Sequence, residues 1–93
     1  MGEAYEFKVT REGSHSTNSY VLSSQGVARA TRYRRKTIPW EGIRTLWLLE
    51  NSLILFYSDT NYWIIPRNQI PDDARDFLME QVKRVGVHTK SLG

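Results

Sequence analysis

Apolar and polar residues alternate with a period of two along the first part of the chain. Tyr5, Phe7 and Val9 alternate with Glu, Lys and Thr residues, which predicts a strand with one apolar face. A second strand is predicted at residues 20–22, followed by a Ser-Ser-Gln-Gly turn. Residues 27–38 are long enough to form one extended strand that pairs back on the second. The first part of the chain is therefore predicted to form a small antiparallel sheet.

Three more apolar segments, separated by short polar turns, follow Pro39. They lie at residues 43–49, 53–57 and 62–65. Pro39 is expected to end the strand before them, because proline has no N–H to donate to a ladder. The segment at residues 53–57 is apolar on both faces, which predicts that it is the most buried strand. Together the three segments predict an antiparallel meander.

The pattern changes to a helical period towards the C-terminus. Five apolar residues recur at helical spacing: Ala74, Phe77, Leu78, Val82 and Val85. Asp72 or Asp73 is predicted to cap this helix, and Gly86 is predicted to end it in a left-handed conformation. The residues beyond it, 88–93, are predicted to form a flexible tail.

The order of the elements, strands first and one amphipathic helix last, predicts the fold class. We expect a mainly-β fold with one C-terminal α-helix, in which the helix caps a bent antiparallel sheet or open barrel. A chain of 93 residues is expected to form one domain. Within it we expect an N-terminal strand at residues 4–10, a polar linker at 11–19, a core domain at 20–87 and the tail at 88–93.

The composition limits the chemistry that the chain can perform. It contains no cysteine, which excludes disulfides and thiolate sites. No apolar run approaches the roughly 20 residues that a membrane-spanning helix needs. His15 and His88 lie in segments predicted to be flexible, whereas acid–base and metal chemistry need rigid support. We therefore expect a protein that is not an enzyme and that binds no cofactor or metal.

Basic residues cluster in the third predicted strand, although the net charge of the chain is only +3. The cluster consists of Arg29, Arg32, Arg34, Arg35 and Lys36. An extended strand would place Arg32, Arg34 and Lys36 on one face, about 6–7 Å apart, where they can meet several anionic groups. Near a membrane, such residues bind acidic phospholipid headgroups. The alternative is a solvated edge strand whose charges prevent edge-to-edge pairing.

Two short motifs and the predicted helix carry a family resemblance. Ile-Pro-Trp-x-x-Ile precedes the apolar strands, and Ile-Pro-Arg leads from the last of them towards the helix. In this order and at this spacing, over residues 20–87, the chain resembles the YcxB-like family, a bacterial family of unknown function. The resemblance implies a fold similar to bacterial pleckstrin-homology domains, with a structural role for the motif residues. These are Ile38, Pro39, Trp40, Ile43, Ile65, Pro66 and Arg67.

The resemblance also implies a membrane. Members of the family carry two membrane spans between an N-terminal strand-like segment and this domain, which places the domain on the cytoplasmic side of the inner membrane. In this chain residues 11–19 stand where the spans would be, and they include Gly-Ser-His, a tripeptide often left by cloning. Two interpretations stay open: a short linker that replaced the spans, or a natural loop in a short member of the family.

The expected function is that of a non-catalytic interaction domain. Its partner is expected to be another protein or a second copy of the chain in a homo-oligomer. Binding of anionic phospholipid headgroups through the basic cluster is the alternative. Nucleic acid binding is a more distant alternative, because the chain has no RNA-binding aromatic signature.

Overall fold

Two open four-stranded sheets and one α-helix make up the computed structural model, which describes residues 2–10 and 17–92. The first sheet contains β1 (Ala4–Thr10), β2 (Thr17–Ser23), β3 (Gly26–Ala30) and β4 (Arg35–Ile38). The second contains β5 (Thr45–Leu48), β6 (Ser52–Phe56), β7 (Tyr62–Pro66) and β8 (His88–Ser91). The helix α1 spans Asp72–Val85, and short 3-10 turns occupy Trp40–Gly42 and Arg67–Gln69.

Both sheets are built mainly from consecutive antiparallel strands. The first sheet has the order β1-β2-β3-β4, and the second has the order β7-β6-β5-β8 with β8 parallel to β5. The meander predicted after Pro39 is therefore confirmed as β5, β6 and β7. Strands account for 48% of the described residues, which confirms the mainly-β class with one helix near the C-terminus. The sheets are open, so a closed barrel is not formed.

The core lies between the inner face of the first sheet, the second sheet and the helix. One cross-strand row of the first sheet consists entirely of apolar residues: Tyr5, Leu22, Val27 and Ile38. The second sheet contributes a buried set on its inner face: Leu46, Leu53, Leu55, Trp63 and Ile65. In β6 the residues between these, Ile54 and Phe56, are only half-buried, so one face of this strand is fully covered and the other is not.

The helix forms where the apolar stripe predicted it. Ala74, Leu78 and Val82 are fully buried, while Phe77 packs its ring 4.9 Å from that of Tyr5. Gly86 ends the helix with a φ of 79°, and its N–H donates to the Val82 carbonyl as the left-handed cap requires.

The predicted aspartate cap is confirmed in part: the Asp73 carboxylate accepts the first-turn N–H of Ala74 at 2.8 Å, but no aspartate occupies the N-cap position. Pro71 occupies the N-cap position and makes no side-chain cap bond. Its fixed φ suits the entry to a helix, so the helix begins one residue earlier than an aspartate cap would allow. Asp72 and Asp73 lie in the first turn, where their charges favour the positive end of the helix dipole.

The single extended strand predicted at residues 27–38 is wrong. The chain reverses at residues 31–34, where the Thr31 N–H donates to the Arg34 carbonyl at 2.7 Å. The Thr31 hydroxyl oxygen accepts the Arg34 N–H at 3.1 Å and the Tyr33 N–H at 3.4 Å. This local side-chain bonding gives the backbone an alternative to a strand ladder, so β3 and β4 form a hairpin.

Two polar segments predicted to be a linker and a tail, one towards each end of the chain, contribute residues to strands. Residues 88–91, predicted to belong to a flexible tail, form β8 along β5, and the Leu92 N–H donates to the Leu48 carbonyl at 2.9 Å. All side chains of β8 are exposed, so only backbone bonds hold it and no apolar pattern marks it. At the other side, residues 17–19 belong to β2, while residues 11–16 of the predicted linker lie outside the described residues.

We expect Gly26→Ala to lower the free energy of unfolding by at least about 1–3 kcal/mol. Gly26 has a φ of 141°, and an added Cβ would collide with the Ile38 carbonyl oxygen and lie 2.8 Å from the Pro39 Cα. Urea unfolding measures the loss. Gly42→Ala is the matched control, because its Cβ would meet nothing closer than the Pro39 Cδ at 3.4 Å. Equal stability of the two variants would contradict this account of the β3–β4 contact.

Candidate functional site

A row of side chains on the inner face of the first sheet changes from aromatic to cationic. The strand register aligns Phe7 with Tyr20, Tyr20 with Arg29, and Arg29 with Lys36. Phe7 and Tyr20 are buried, Arg29 is half-buried and Lys36 is exposed. The row therefore begins in the core and ends at the margin of the sheet, where cations replace aromatic rings.

Trp63 of β7 and Tyr57, which directly follows β6, supply aromatic faces to these two cations. The Arg29 Cζ lies 5.7 Å from the centroid of the Trp63 ring, and the Lys36 Nζ lies 4.5 Å from that of Tyr57. The two rings are themselves in contact, with centroids 5.2 Å apart. Such cation–π contacts fix the position of a charged group without neutralising it.

A groove of about 350 Å³ opens beside Arg29, between the first sheet and β7. The first sheet lines it with Val9, Asn18, Tyr20 and Arg29. The second sheet lines it with Tyr62, Trp63, Ile64 and Pro66, all from β7. We call this cavity the β7 groove. Its walls are mostly apolar, and Arg29 is the single charged side chain among the residues that line it.

The Arg29 Nε is buried and has no hydrogen-bond partner within residues 2–10 and 17–92. A buried donor left without an acceptor costs about 1–3 kcal/mol. Because Arg29 also lines the β7 groove, an anion that entered the groove would lie close to the guanidinium and would neutralise its charge. The groove therefore favours an anionic ligand.

Burial raises the pKa of the Tyr20 hydroxyl, and the positive charge of Arg29 partly opposes this increase. The neutral phenol is thus the form that the groove wall favours. The arrangement offers a cation and apolar surface, and the other polar groups among the lining side chains are the Asn18 amide, the Tyr20 and Tyr62 hydroxyls and the Trp63 indole.

The structure separates the basic residues that the sequence placed on one face. Arg32 and Arg34 lie in the turn and not in a strand, so the predicted row of Arg32, Arg34 and Lys36 is wrong in its geometry. Arg35 and Lys36 belong to β4. The Thr31 turn is the physical reason, since it reverses the chain between Arg29 and Lys36. We call the β3–β4 turn with its flanking cations, Arg29, Arg32, Arg34, Arg35 and Lys36, the basic hairpin.

An exposed aromatic ring marks the tip of the basic hairpin. Tyr33 is 84% exposed, and the Arg32 Cζ lies 5.6 Å from its ring. Across the part of the chain that the structure describes, ion pairs join Arg44 with Asp59 and Arg75 with Asp72 and Asp76. None of these ion pairs involves the basic hairpin.

Four of the seven residues in the two family motifs lie in the core. Ile38, Trp40, Ile43 and Ile65 are buried, and the Trp40 Nε1 donates to the Ser23 carbonyl at 2.7 Å. Arg67 is half-buried, and its Nε is also buried without a partner among the described residues. It lines a separate cavity with Asn51, Ser52, Pro66 and Asn68.

The β7 residues of the groove were not predicted as functional. Tyr62 and Ile64 are each 49% exposed, on the face of β7 that points away from the core. The available signal was the run Tyr-Trp-Ile-Ile, which is apolar on both faces although only one is buried. Exposed apolar residues on one strand face indicate a contact surface.

Comparison with protein-family models, with curated proteins and with solved structures gave no match. The resemblance to the YcxB-like family therefore stays a prediction. Among the described residues, no group of three or more His, Asp or Glu side chains lies close enough to hold a metal ion. The helix found in residues 72–85 is too short and too polar to cross a membrane.

We expect Tyr20→Phe to reduce the loss of stability at alkaline pH. The pKa of Tyr20 is raised by folding, so its contribution is fully present below the unfolded pKa of about 10 and is lost as pH rises through the higher folded value. Urea unfolding at about pH 9 and about pH 11 measures the difference. Tyr33→Phe, at an exposed tyrosine, is the control. The argument would be contradicted if Tyr20→Phe and the unmodified protein lost the same amount of unfolding free energy between the two pH values.

Proposed function

We propose that this chain is a non-catalytic interaction domain that binds a carboxylate-bearing segment of a partner protein in the β7 groove. The observation that carries the proposal is that, of the residues described, Arg29 is the single charged one lining a mostly apolar groove. A guanidinium group presents parallel N–H donors that match the two oxygens of a carboxylate. Apolar walls add contact area around that one charge.

The charge of Arg29 favours a partner that supplies the missing anion. No Asp or Glu side chain lines the β7 groove among the described residues. The Trp63 ring holds the guanidinium from one side, so little side-chain entropy remains to be lost on binding. A carboxylate in the groove would gain a positioned cation that is shielded from part of the solvent.

We also propose that the domain belongs to the cytoplasmic side of the inner membrane, as the family resemblance implies. The strand pairing has room for the two spans of that family, because Thr10 and Thr17 are register partners at the adjacent ends of β1 and β2. Two membrane spans between these positions would leave the pairing of β1 with β2 intact. Gln69 holds this end of β1 through two bonds to the Thr10 backbone, of 2.7 and 3.0 Å.

N-acetyl-glutamate is expected to bind at Arg29 with a dissociation constant in the millimolar range, about the affinity of one charge-assisted contact. Nuclear magnetic resonance titration measures it through the Nε–H signal of Arg29 and the backbone amides of Trp63 and Ile64. N-acetyl-glutaminamide, in which both carboxylates are replaced by carboxamides, is the uncharged probe. Arg29→Gln should abolish the amide shifts, whereas Lys8→Gln, at an exposed cation of β1, should leave them unchanged. Equal shifts at all arginine Nε–H signals would contradict the proposed site.

An anionic membrane surface is the second candidate, and the tip of the basic hairpin favours it. Tyr33 is 84% exposed between Arg32 and Arg34, so an aromatic ring and two cations project together. Aromatic rings lie well at the headgroup level of a bilayer, and nearby arginines attract acidic lipids. This membrane-binding surface lies on the β3–β4 turn, whereas the site proposed for a partner protein lies on the inner face of β3.

We expect the domain to sediment with vesicles of phosphatidylcholine mixed with phosphatidylglycerol, but not with phosphatidylcholine alone. Each basic residue near such a surface contributes about 1 kcal/mol, so Arg32→Gln with Arg34→Gln should weaken binding by roughly 25-fold. Lys8→Gln with Lys83→Gln removes the same charge elsewhere and serves as the control. An equal loss in both double variants would indicate attraction by net charge and would exclude the hairpin tip as a site.

A further inference from the structure

The strand β7 lies at an edge of the second sheet and has a defined set of free backbone groups. The Tyr57 N–H donates to the backbone carbonyl of Asn61, and the Arg67 N–H donates to that of Asn51. In an antiparallel pair, every second residue directs its backbone N–H and C=O groups to the neighbouring strand. The backbone groups of Trp63 and Ile65 therefore also bond to β6. The N–H and C=O groups of Tyr62 and Ile64 consequently point to the free edge.

This free edge forms part of the β7 groove. Tyr62, Ile64 and Pro66 line the cavity together with Arg29 of the first sheet. Within the described part of the chain, β7 has one strand neighbour, β6. Pro66 carries no N–H, so the row of free donors ends at Ile64. The edge thus offers two residues for pairing, and the proline limits how far a ladder can extend.

We propose that an extended acidic segment of a partner protein adds to the edge of β7 as an antiparallel strand. The proposal rests on the proposed function, because it uses the same groove and the same arginine. Strand addition supplies affinity through backbone bonds, while pockets for alternate side chains supply selectivity. Here the free N–H and C=O groups of Tyr62 and Ile64 provide the bonds, and Arg29 provides the selectivity.

The register of the added strand determines which of its residues enters the groove. Residues opposite Tyr62 and Ile64 exchange both backbone bonds with them, and their side chains lie on the outer face of the sheet. The residue opposite Trp63 points to the same side as Trp63, towards the guanidinium of Arg29. The partner sequence is therefore apolar–acidic–apolar, with the apolar residues paired across from the exposed side chains of Tyr62 and Ile64.

A second copy of this chain fits the edge less well than an acidic segment does. Pairing of β7 with another β7 would satisfy the same backbone groups. The sequence Tyr-Trp-Ile-Ile-Pro, however, has no acidic residue, so neither Arg29 would gain a counter-charge. Charge complementarity therefore selects a different protein as the occupant.

The probe for this proposal is the peptide Thr-Val-Glu-Val-Thr with blocked termini. Titration followed by nuclear magnetic resonance should show saturable shifts of the Tyr62 and Ile64 amides, together with slowed hydrogen exchange at both. Replacing the central Glu of the peptide by Gln should weaken binding at least about tenfold, since a charge-assisted contact is lost. Arg29→Gln should produce the same loss in the protein.

Backbone variants separate strand addition from simple carboxylate binding. Methylation of both valine nitrogens keeps every side chain of the peptide but removes the donors to Tyr62 and Ile64, and should weaken binding at least about tenfold. In the protein, Tyr62→Pro removes one free-edge N–H that the fold does not use. Tyr62→Ala removes the ring alone and is the matched control. Thermal melting checks that both variants are folded.

Three results would overturn the proposal, and they are distinguishable. Undiminished binding of the methylated peptide would exclude strand addition while leaving the carboxylate site intact. Failure of both N-acetyl-glutamate and the peptide to shift any groove signal would overturn the proposed function as well. A concentration-dependent dimer in sedimentation, with the Tyr62 and Ile64 amides protected before peptide is added, would show that a second copy occupies the edge.

Discussion

The register of the first sheet is the constraint on which both the core and the groove depend. Side chains on a strand alternate between faces, so a slip of β3 by one residue would move Arg29 to the outer face. Gly26 prevents such a slip, because its missing Cβ is what allows β3 to lie against the Ile38 carbonyl at the end of β4. The same close contact that closes the core at one end of β3 thereby places the guanidinium against Trp63 at the other.

Local patterns predicted those parts of the fold in which the side chains themselves form the contacts. The stripe from Ala74 to Val82 predicted the helix, because its residues pack directly on the core. The strand β8 was missed for the opposite reason: its exposed side chains carry no signal, and its bonds come from the backbone. The hairpin break was missed because Thr31 acts through one hydroxyl group, which periodicity does not register. The groove depends on the meeting of Arg29 and β7, which lie far apart in sequence and are brought together only by the packing of two sheets.

Reversal of the chain at Thr31 divides one basic segment into two surfaces. Arg29 and Lys36 face the second sheet, where aromatic rings hold them, whereas Arg32 and Arg34 project at the tip. A cation on an aromatic face, partly withdrawn from solvent, selects a particular anion by geometry. A cation on an exposed turn attracts any anionic surface and is screened by salt. The two proposed binding modes therefore use different cations of the same hairpin: the tip for an anionic membrane, and the inner face for a protein.

An exposed apolar edge strand is a hazard unless the fold limits what can pair with it. In β7 two features act together: Pro66 shortens the row of free donors, and Arg29 lies beside the part that remains. Pairing of two β7 edges would bring a second Arg29 towards the first, and like charges without an anion between them oppose that approach. An acidic segment at the same edge would instead be attracted by the positive charge of Arg29. Arg29 is thus both the residue that would attract the proposed acidic partner and the one that disfavours pairing of two β7 edges.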